Sequence, residues 1–293
     1  MLSKRQIASG VIIWLLVFGA FVTLAGAGEF VETLSEISPT ETATIFVALA
    51  TGLVAMGSVL YVITRSLDLG FSFVEAVFLN TTVNLAHNLT PFGQAGGEPI
   101  GAAILSRRTS SHYEECLAAL SAKDVISFVP AILMFVVGGI YIALFEQSVP
   151  GELRPLFAAF ALVVLVVIGA VVAIHRRPAA TRRVLQRVVG AVNRTLAWLP
   201  LVPSFEEAEI ERRLRTFSDS IGAIASDRPT IVLASALATV AFTAQGVLLW
   251  LALAAVGINV PVALAIFIVP VSLLASGLPL PGGSGGVESV QVL

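Results

Sequence analysis

The chain is 293 residues long, 57% hydrophobic and only 12% charged, with a mean hydropathy of +0.93. A soluble domain is about a quarter charged, so this composition excludes an ordinary globular protein, a disordered chain and a nucleic-acid binder, and predicts an all-α polytopic membrane bundle. The net charge of −2 is uninformative as a sum, and the single Cys116 excludes an internal disulfide framework.

Residues 7–27 carry no charge and follow Lys4 and Arg5. The stretch is long and lacks a clear small-residue cleavage site, so it is read as a retained helix. Further apolar spans lie at 43–64, 125–144, 156–174 and 231–256, each near the ~20 residues that cross a bilayer. Segments 71–106 and 261–293 are apolar but interrupted by Pro and Gly, and 175–229 is an Arg-rich insert. Together these segments predict one transmembrane domain over 1–293.

Short loops rich in Lys and Arg stay cytoplasmic. The insert holds ten arginines, among them Arg176, Arg182, Arg187 and Arg194, which places it inside. Counting back through the spans puts Arg107, Arg108, Lys123, Arg65 and the N-terminus inside as well. Of 17 basic residues only Arg154 then lies outside, where Glu29, Glu32, Glu36, Glu41, Glu146 and Glu152 gather. The prediction is a multi-pass cell-membrane protein with a cytoplasmic N-terminus.

Arg65 and Arg107 share a side on this reading, so 71–106 must cross an even number of times and forms a hairpin entered from the cytoplasm. Its return limb, Pro99 to Ser106, spans about 12 Å of a core about 30 Å thick, which predicts a broken, re-entrant element. Irregular backbone is tolerated at that depth only when buried in protein or lining a polar cavity.

The hairpin turn reads Leu89-Thr90-Pro91-Phe92-Gly93-Gln94-Ala95-Gly96-Gly97-Glu98, and a second stretch reads Pro281-Gly282-Gly283-Ser284-Gly285-Gly286-Val287-Glu288. Both fit P-x-G-x-x-G-x-E, and each follows an apolar helix that itself follows a full span. The first broken helix starts inside and the second outside, so the two units are expected to be inverted repeats, an architecture of many secondary transporters. The alternative is that both clusters are only tight turns.

The motif N-x-x-P-x-G-x-x-G-G-E, with later basic and acidic residues, resembles the flippase-like membrane region of lysylphosphatidylglycerol synthases. Related regions stand alone or are fused to archaeal dolichyl-phosphate glycosyltransferases. The matching residues are Asn88, Pro91, Gly93, Gly97 and Glu98, then Arg107 or Arg108, Asp124, and Pro281, Gly282, Gly283, Gly286 and Glu288. The resemblance implies a translocator with these residues at its substrate path. It also implies membrane lipids or a lipid-linked glycan as partners, beside a separate synthase or glycosyltransferase. Two departures stand out. Residues 99–106 are neutral where the family has an early Arg, and the chain stops five residues after Glu288 where the family continues through another helix. A shortened chain whose second hairpin lacks its return limb is the expectation.

Asn80, Asn84, His87 and Asn88 recur at i, i+4, i+7 and i+8, which puts them on one helix face. That face is either the polar wall of a headgroup path or an interhelical hydrogen-bonding seam worth about 0.6 kcal/mol per site. His87 alone reads as an interior histidine satisfied by its neighbours. Pro99 is suited to the first position of the return helix, which would set Glu98 at a helix N-terminus beside the open amides of Gly96 and Gly97, with Gln94 in the same turn. A phosphate suits such amides but is repelled by a carboxylate, so Glu98 is expected to be protonated, to meet a cationic partner, or to act as a cap paired with Arg107 or Arg108.

Leu185, Val188, Val189, Val192 and Leu196 predict an amphipathic helix on an anionic leaflet, and 206–215 reads as a solvated helix face. No HExxH, CxxC, P-loop or dinucleotide motif occurs, so no metal, cofactor or ATP-driven chemistry is expected. The leading expectation is a non-enzymatic, flippase-like translocator of a charged lipid or polyprenyl-phosphate-linked substrate. A glycosyl- or acyl-transferase using Glu29, Glu32 or Glu36 is the second, and a non-catalytic partner of a synthase the third.

Overall fold

A computed structural model describes residues 35–89, 94–145 and 207–275, with 23, 28, 162, 165 and 169. The described elements are helices: α1 (Pro39–Ser66), α2 (Phe73–Leu89), α3 (Gln94–Thr109), α4 (Tyr113–Phe145), α5 (Glu207–Ser226), α6 (Arg228–Ala255) and α7 (Val262–Ala275). Among the described residues, α1, α6 and the 113–141 part of α4 are long and apolar enough to cross a membrane. The motif residues Pro91 and Gly93, the whole 281–288 cluster, the helix expected at 185–196, and Glu29 and Glu32 lie outside the described residues.

α1 and α6 are built alike. Each has 28 residues and opens with a side-chain N-cap, Ser38 or Asp227, followed by Pro at N1 or N2. Such caps satisfy amides left open in the first turn. Both end the same way: Asp68 N–H donates to the Arg65 carbonyl and Leu69 N–H to Thr64, while Gly257 donates to Ala254 and Ile258 to Leu253. In each case the residue after the C-cap is left-handed, Asp68 at φ 52° and Gly257 at φ 81°, which is the Schellman ending.

The likeness extends to packing. A Cβ on Gly57 would lie 2.6 Å from Val77 Cα, and one on Gly246 would strike Ile266 Cα. Each long helix therefore takes the backbone of the next helix directly against a glycine, as membrane helices do where small residues allow close approach. Ser38 and Asp227, Gly57 and Gly246, Asp68 and Gly257, and Val77 and Ile266 are all separated by the same 189 positions. α1 and α6 meet at Gly52 and Ala241, which share that separation. Residues 44–51 of α1, all before the meeting point, line one groove with α6 residues that reach from Thr239, just before it, to Leu251, ten residues beyond it, so the helices run in opposite directions.

The core lies where α1, α2, α3, α4 and α6 converge, with Leu60, Ile63, Val83, Leu105, Leu120 and Ala238 at its centre. α5 lays Ile221 and Ile224 against it and turns Arg212 and Arg215 outward. Its charged first half is thus a solvated face, except that Arg213 pairs with Glu114 of α4 at 2.8 Å. α7 reaches α4 through Phe267, which stacks on Phe135 at 5.2 Å and sits against Gly138.

Three boundaries differ from the sequence-based expectation. α4 begins at Tyr113 rather than near 125, so Lys123 and Asp124 lie well inside the helix. The return limb of the hairpin is 16 residues, Gln94–Thr109, instead of the eight expected from Pro99, and measures about 24 Å. Pro99 does not open that helix but sits inside it, at the sixth residue. There it cannot donate to the carbonyl four residues back, a loss tolerated because the first turn is only just complete.

Candidate functional site

α2 and α3 form an antiparallel hairpin with an evident sequence cause. Ser72 and Glu75 make a reciprocal cap: the Ser72 amide and hydroxyl donate to the Glu75 carboxylate at 3.1 and 2.9 Å, and the Glu75 amide donates to Ser72 Oγ at 3.3 Å. This S-x-x-E box starts α2. Arg108 of α3 then pairs with Glu75 and joins the open end of the hairpin. Further along, Gly101 sits against Val83, where a Cβ would lie 2.9 Å from Cγ2. Gly97 sits against His87, and a Cβ there would fall 2.8 Å from the His87 backbone and run into its ring.

This close approach assembles a polar cluster between the hairpin and α4. His87 Nε2 lies 3.3 Å from Glu98 Oε1, with both side chains largely buried. Asp124 faces Glu98 closely enough for the two carboxyls to interact, and Lys123 acts on both. Lys123 Nζ lies 3.5 Å from Asp124 Oδ1 and donates to Asn80 Oδ1 at 3.2 Å. Lys123 is 3% exposed and Asn80 fully buried. The Glu98 carboxylate oxygens, Asn80 Nδ2 and Ser127 Oγ are buried with no hydrogen-bond partner among the described residues.

The cluster sits where α2 ends and α3 begins, far from the opposite, charged ends of these helices. At 1.5 Å per residue, His87 lies about 18 Å along α2 from Glu75, and Glu98 about 15 Å along α3 from Arg108. Asp124 lies about 15 Å along α4 from Glu114. Glu75–Arg108 and Glu114–Arg213 are ion pairs with exposed arginines, so three helices give nearly the same depth below one charged rim.

Of the residues singled out from sequence, Asn80, His87, Glu98 and Asp124 come together here. Asn84 is partly buried on the same α2 face. Gln94, Gly96 and Gly97 lie in the first turn of α3, and Asn88 in the last turn of α2. Arg107 and Arg108 do not join the cluster: both are exposed, and Arg108 serves Glu75 instead. The expected cap pairing of Glu98 with an arginine is therefore replaced by His87, because Glu98 and Arg108 are separated by ten residues of continuous helix. Nor does Glu98 terminate a helix, since α3 starts four residues earlier.

Lys123 was missed, having been counted with the cytoplasmic charges. Its signal was present: Cys116, Ala119, Leu120, Lys123 and Ser127 share one helical stripe, and all five are buried. An ionisable residue on the apolar stripe of a membrane helix needs a partner within the bundle.

Comparison with known proteins agrees with the membrane architecture. Residues 6–293 match the family described as the lysylphosphatidylglycerol synthase TM region. Two proteins of Methanothermobacter thermautotrophicus, both described as UPF0104 membrane protein, are similar over nearly the whole chain. One is 26% identical, covering 98% of this chain and 80% of the relative; the other is 23% identical, covering 99% and 85%. No solved structure matches.

Proposed function

Because the chain belongs to the lysylphosphatidylglycerol synthase TM region family, we propose that this integral membrane protein translocates a charged lipid, or a polyprenyl-phosphate-linked substrate, between leaflets. The observation that carries this reading is the largely enclosed set of Asn80, His87, Glu98, Lys123 and Asp124 between the α2–α3 hairpin and a helix long and apolar enough to cross a membrane. Ionisable residues within membrane segments are costly and mark substrate or ion paths. With the charged rim at one face of a hydrocarbon core about 30 Å thick, a depth of about 15 Å is the midplane, where such transporters bind their cargo. The rim rich in arginine is the cytoplasmic one by the positive-inside rule.

The matched landmarks of α1–α2 and α6–α7 support a construction from two inverted repeats. Their caps, endings and close-packed glycines keep one spacing, and α1 and α6 oppose each other. The motif glutamates Glu98 and Glu288 keep nearly the same spacing. The repeats differ in chemistry: α2 carries the Asn and His stripe, whereas α7 carries no ionisable side chain. Cargo recognition on this reading belongs mainly to the first repeat.

The test is translocation by the full chain in vesicles that carry fluorescent phosphatidylglycerol or a labelled polyprenyl phosphate in one leaflet. Transfer of at least one lipid above the protein-free rate is expected, with Glu98→Gln reducing it at least about tenfold without loss of folded protein. Absence of transfer for every lipid, with monodisperse protein, rejects the proposal.

A further inference from the structure

We infer that His87, Glu98, Lys123 and Asp124 form a proton-binding site that carries one exchangeable proton per chain and couples it to lipid movement. The coupling rests on the translocator reading; the proton site does not.

Lys123 contributes one positive charge and the two carboxylates two negative ones, so with neutral His87 the group has a net charge of −1. A net charge buried among apolar helices is heavily penalised, and such groups neutralise instead. One added proton brings the site to zero. It has two places to go: His87 Nε2, 3.3 Å from Glu98 Oε1, or the facing carboxyls of Glu98 and Asp124, where the protonated acid can donate to the other. Neither buried Glu98 oxygen accepts a hydrogen bond unless His87 Nε2, 3.3 Å away, or a neighbouring acid carries the proton, so a proton at this position supplies what the carboxylate lacks. The fully buried Asn80 Nδ2 and the buried Ser127 Oγ also keep unused capacity.

No other described helix changes this count. α2 presents His87 and Asn80, α3 presents Glu98, and α4 presents Lys123 and Asp124. The ionisable residues of α1 are Glu41, Tyr61 and Arg65, that of α6 is Arg228, and α7 has none. Arg213 of α5 is engaged with Glu114 and Glu209 at the rim. Among the described residues no group of three His, Cys, Asp or Glu side chains is arranged to hold a metal, and Lys123 already supplies the fixed cation. Asp124, with 24% of its side chain exposed, is the most open member and the route for exchange.

The arrangement also explains how a proton could do work. His87 and Glu98 ride on the hairpin, while Lys123 and Asp124 ride on α4. Removing the proton sets two carboxylates against each other across that interface, and loading it removes the repulsion. Proton occupancy thus has a differential free energy between hairpin positions, which is what shifting a conformational equilibrium requires.

Infrared difference spectroscopy of the full chain in vesicles, stepped from about pH 5 to about pH 8, reads the site directly. Loss of a protonated-carboxyl or imidazolium band in wild type, absent in Glu98→Gln and retained in Glu98→Asp, is the expected result. A wild-type spectrum with neither band titrating overturns the proton site, whatever the variants do. The same vesicles, carrying fluorescent phosphatidylglycerol, are then given an imposed pH gradient. A severalfold change in lipid transfer supports coupling. Transfer that ignores the gradient overturns coupling and leaves the translocator reading standing. A titrating site with no transfer of any lipid rejects the translocator instead, and the coupling with it.

Discussion

The imidazole Nε2 of His87 and the carboxylate Oε1 of Glu98 stand 3.3 Å apart across the two antiparallel limbs of one hairpin. They meet because Gly97, next to Glu98, lets the α3 backbone rest on His87. The glycine of the motif sets the distance, and the glutamate after it uses that distance.

Gly97→Ala should therefore spread the hairpin. The new methyl group meets backbone as well as the ring, and overpacking of this kind costs about 1–3 kcal/mol. Gly139→Ala, in open space on α4, is the matched control and should leave stability unchanged or slightly raised. Thermal unfolding of both variants in detergent decides the matter; equal Tm values would contradict the close approach.

Lys123→Met leaves two buried carboxyls without their cation. Removing one partner of a buried pair costs about 3–5 kcal/mol, so a large loss of stability is expected. Lys123→Met combined with Asp124→Asn should recover much of it, because removing one carboxylate with the cation returns the net charge to that of the wild-type group. A stable single variant would mean that Lys123 is not enclosed with these groups.

α1 and α6 cross so closely that they can be joined covalently. A Cβ at Gly52 would lie 3.8 Å from the Ala244 Cβ, near the mean separation in a disulfide. In a Cys116→Ser background, Gly52→Cys with Ala244→Cys should oxidise readily and shift on a non-reducing gel after cleavage in the 146–206 stretch. Failure to cross-link would remove the antiparallel crossing on which the repeat argument depends.

The rim should behave as surface electrostatics do. Arg213 binds Glu114 and Glu209 while partly exposed, so Arg213→Ala should lower Tm by no more than about 3 °C, and by less in high salt. Hydrogen bonds from Arg213 and Arg212 hold the Glu209 carboxyl below its ordinary value of 4.5. Its contribution to α5 is thus present above that value and fades as pH falls through the lowered one. Helicity followed by circular dichroism through an acid titration, in wild type and Glu209→Gln, measures the difference.

Much of the site was legible in the chain. The i, i+4, i+7 spacing put Asn80, Asn84 and His87 on one face, and the Pro-Gly run marked the turn before Glu98. The partners were not, because α4 starts 12 residues before its apolar run does. Glu114, Glu115, Lys123 and Asp124 pull hydropathy down over a stretch that is helical all the same, and so Lys123 read as a loop charge. The eight-residue return limb erred for a related reason. Pro99 looked like a helix start, but the residues before it were already helical.

The amino-acid order by itself determined that this is a membrane protein of hydrophobic helices, since its few charged residues, 12% of the chain, are set apart by uncharged runs near the ~20 residues that cross a bilayer. Only the tertiary structure decided which charges face one another, because His87, Glu98 and Lys123 belong to three helices whose contacts depend on packing register. Backbone spacing fixes the face on which a side chain lies; its partner there is set by whichever helix the glycines admit.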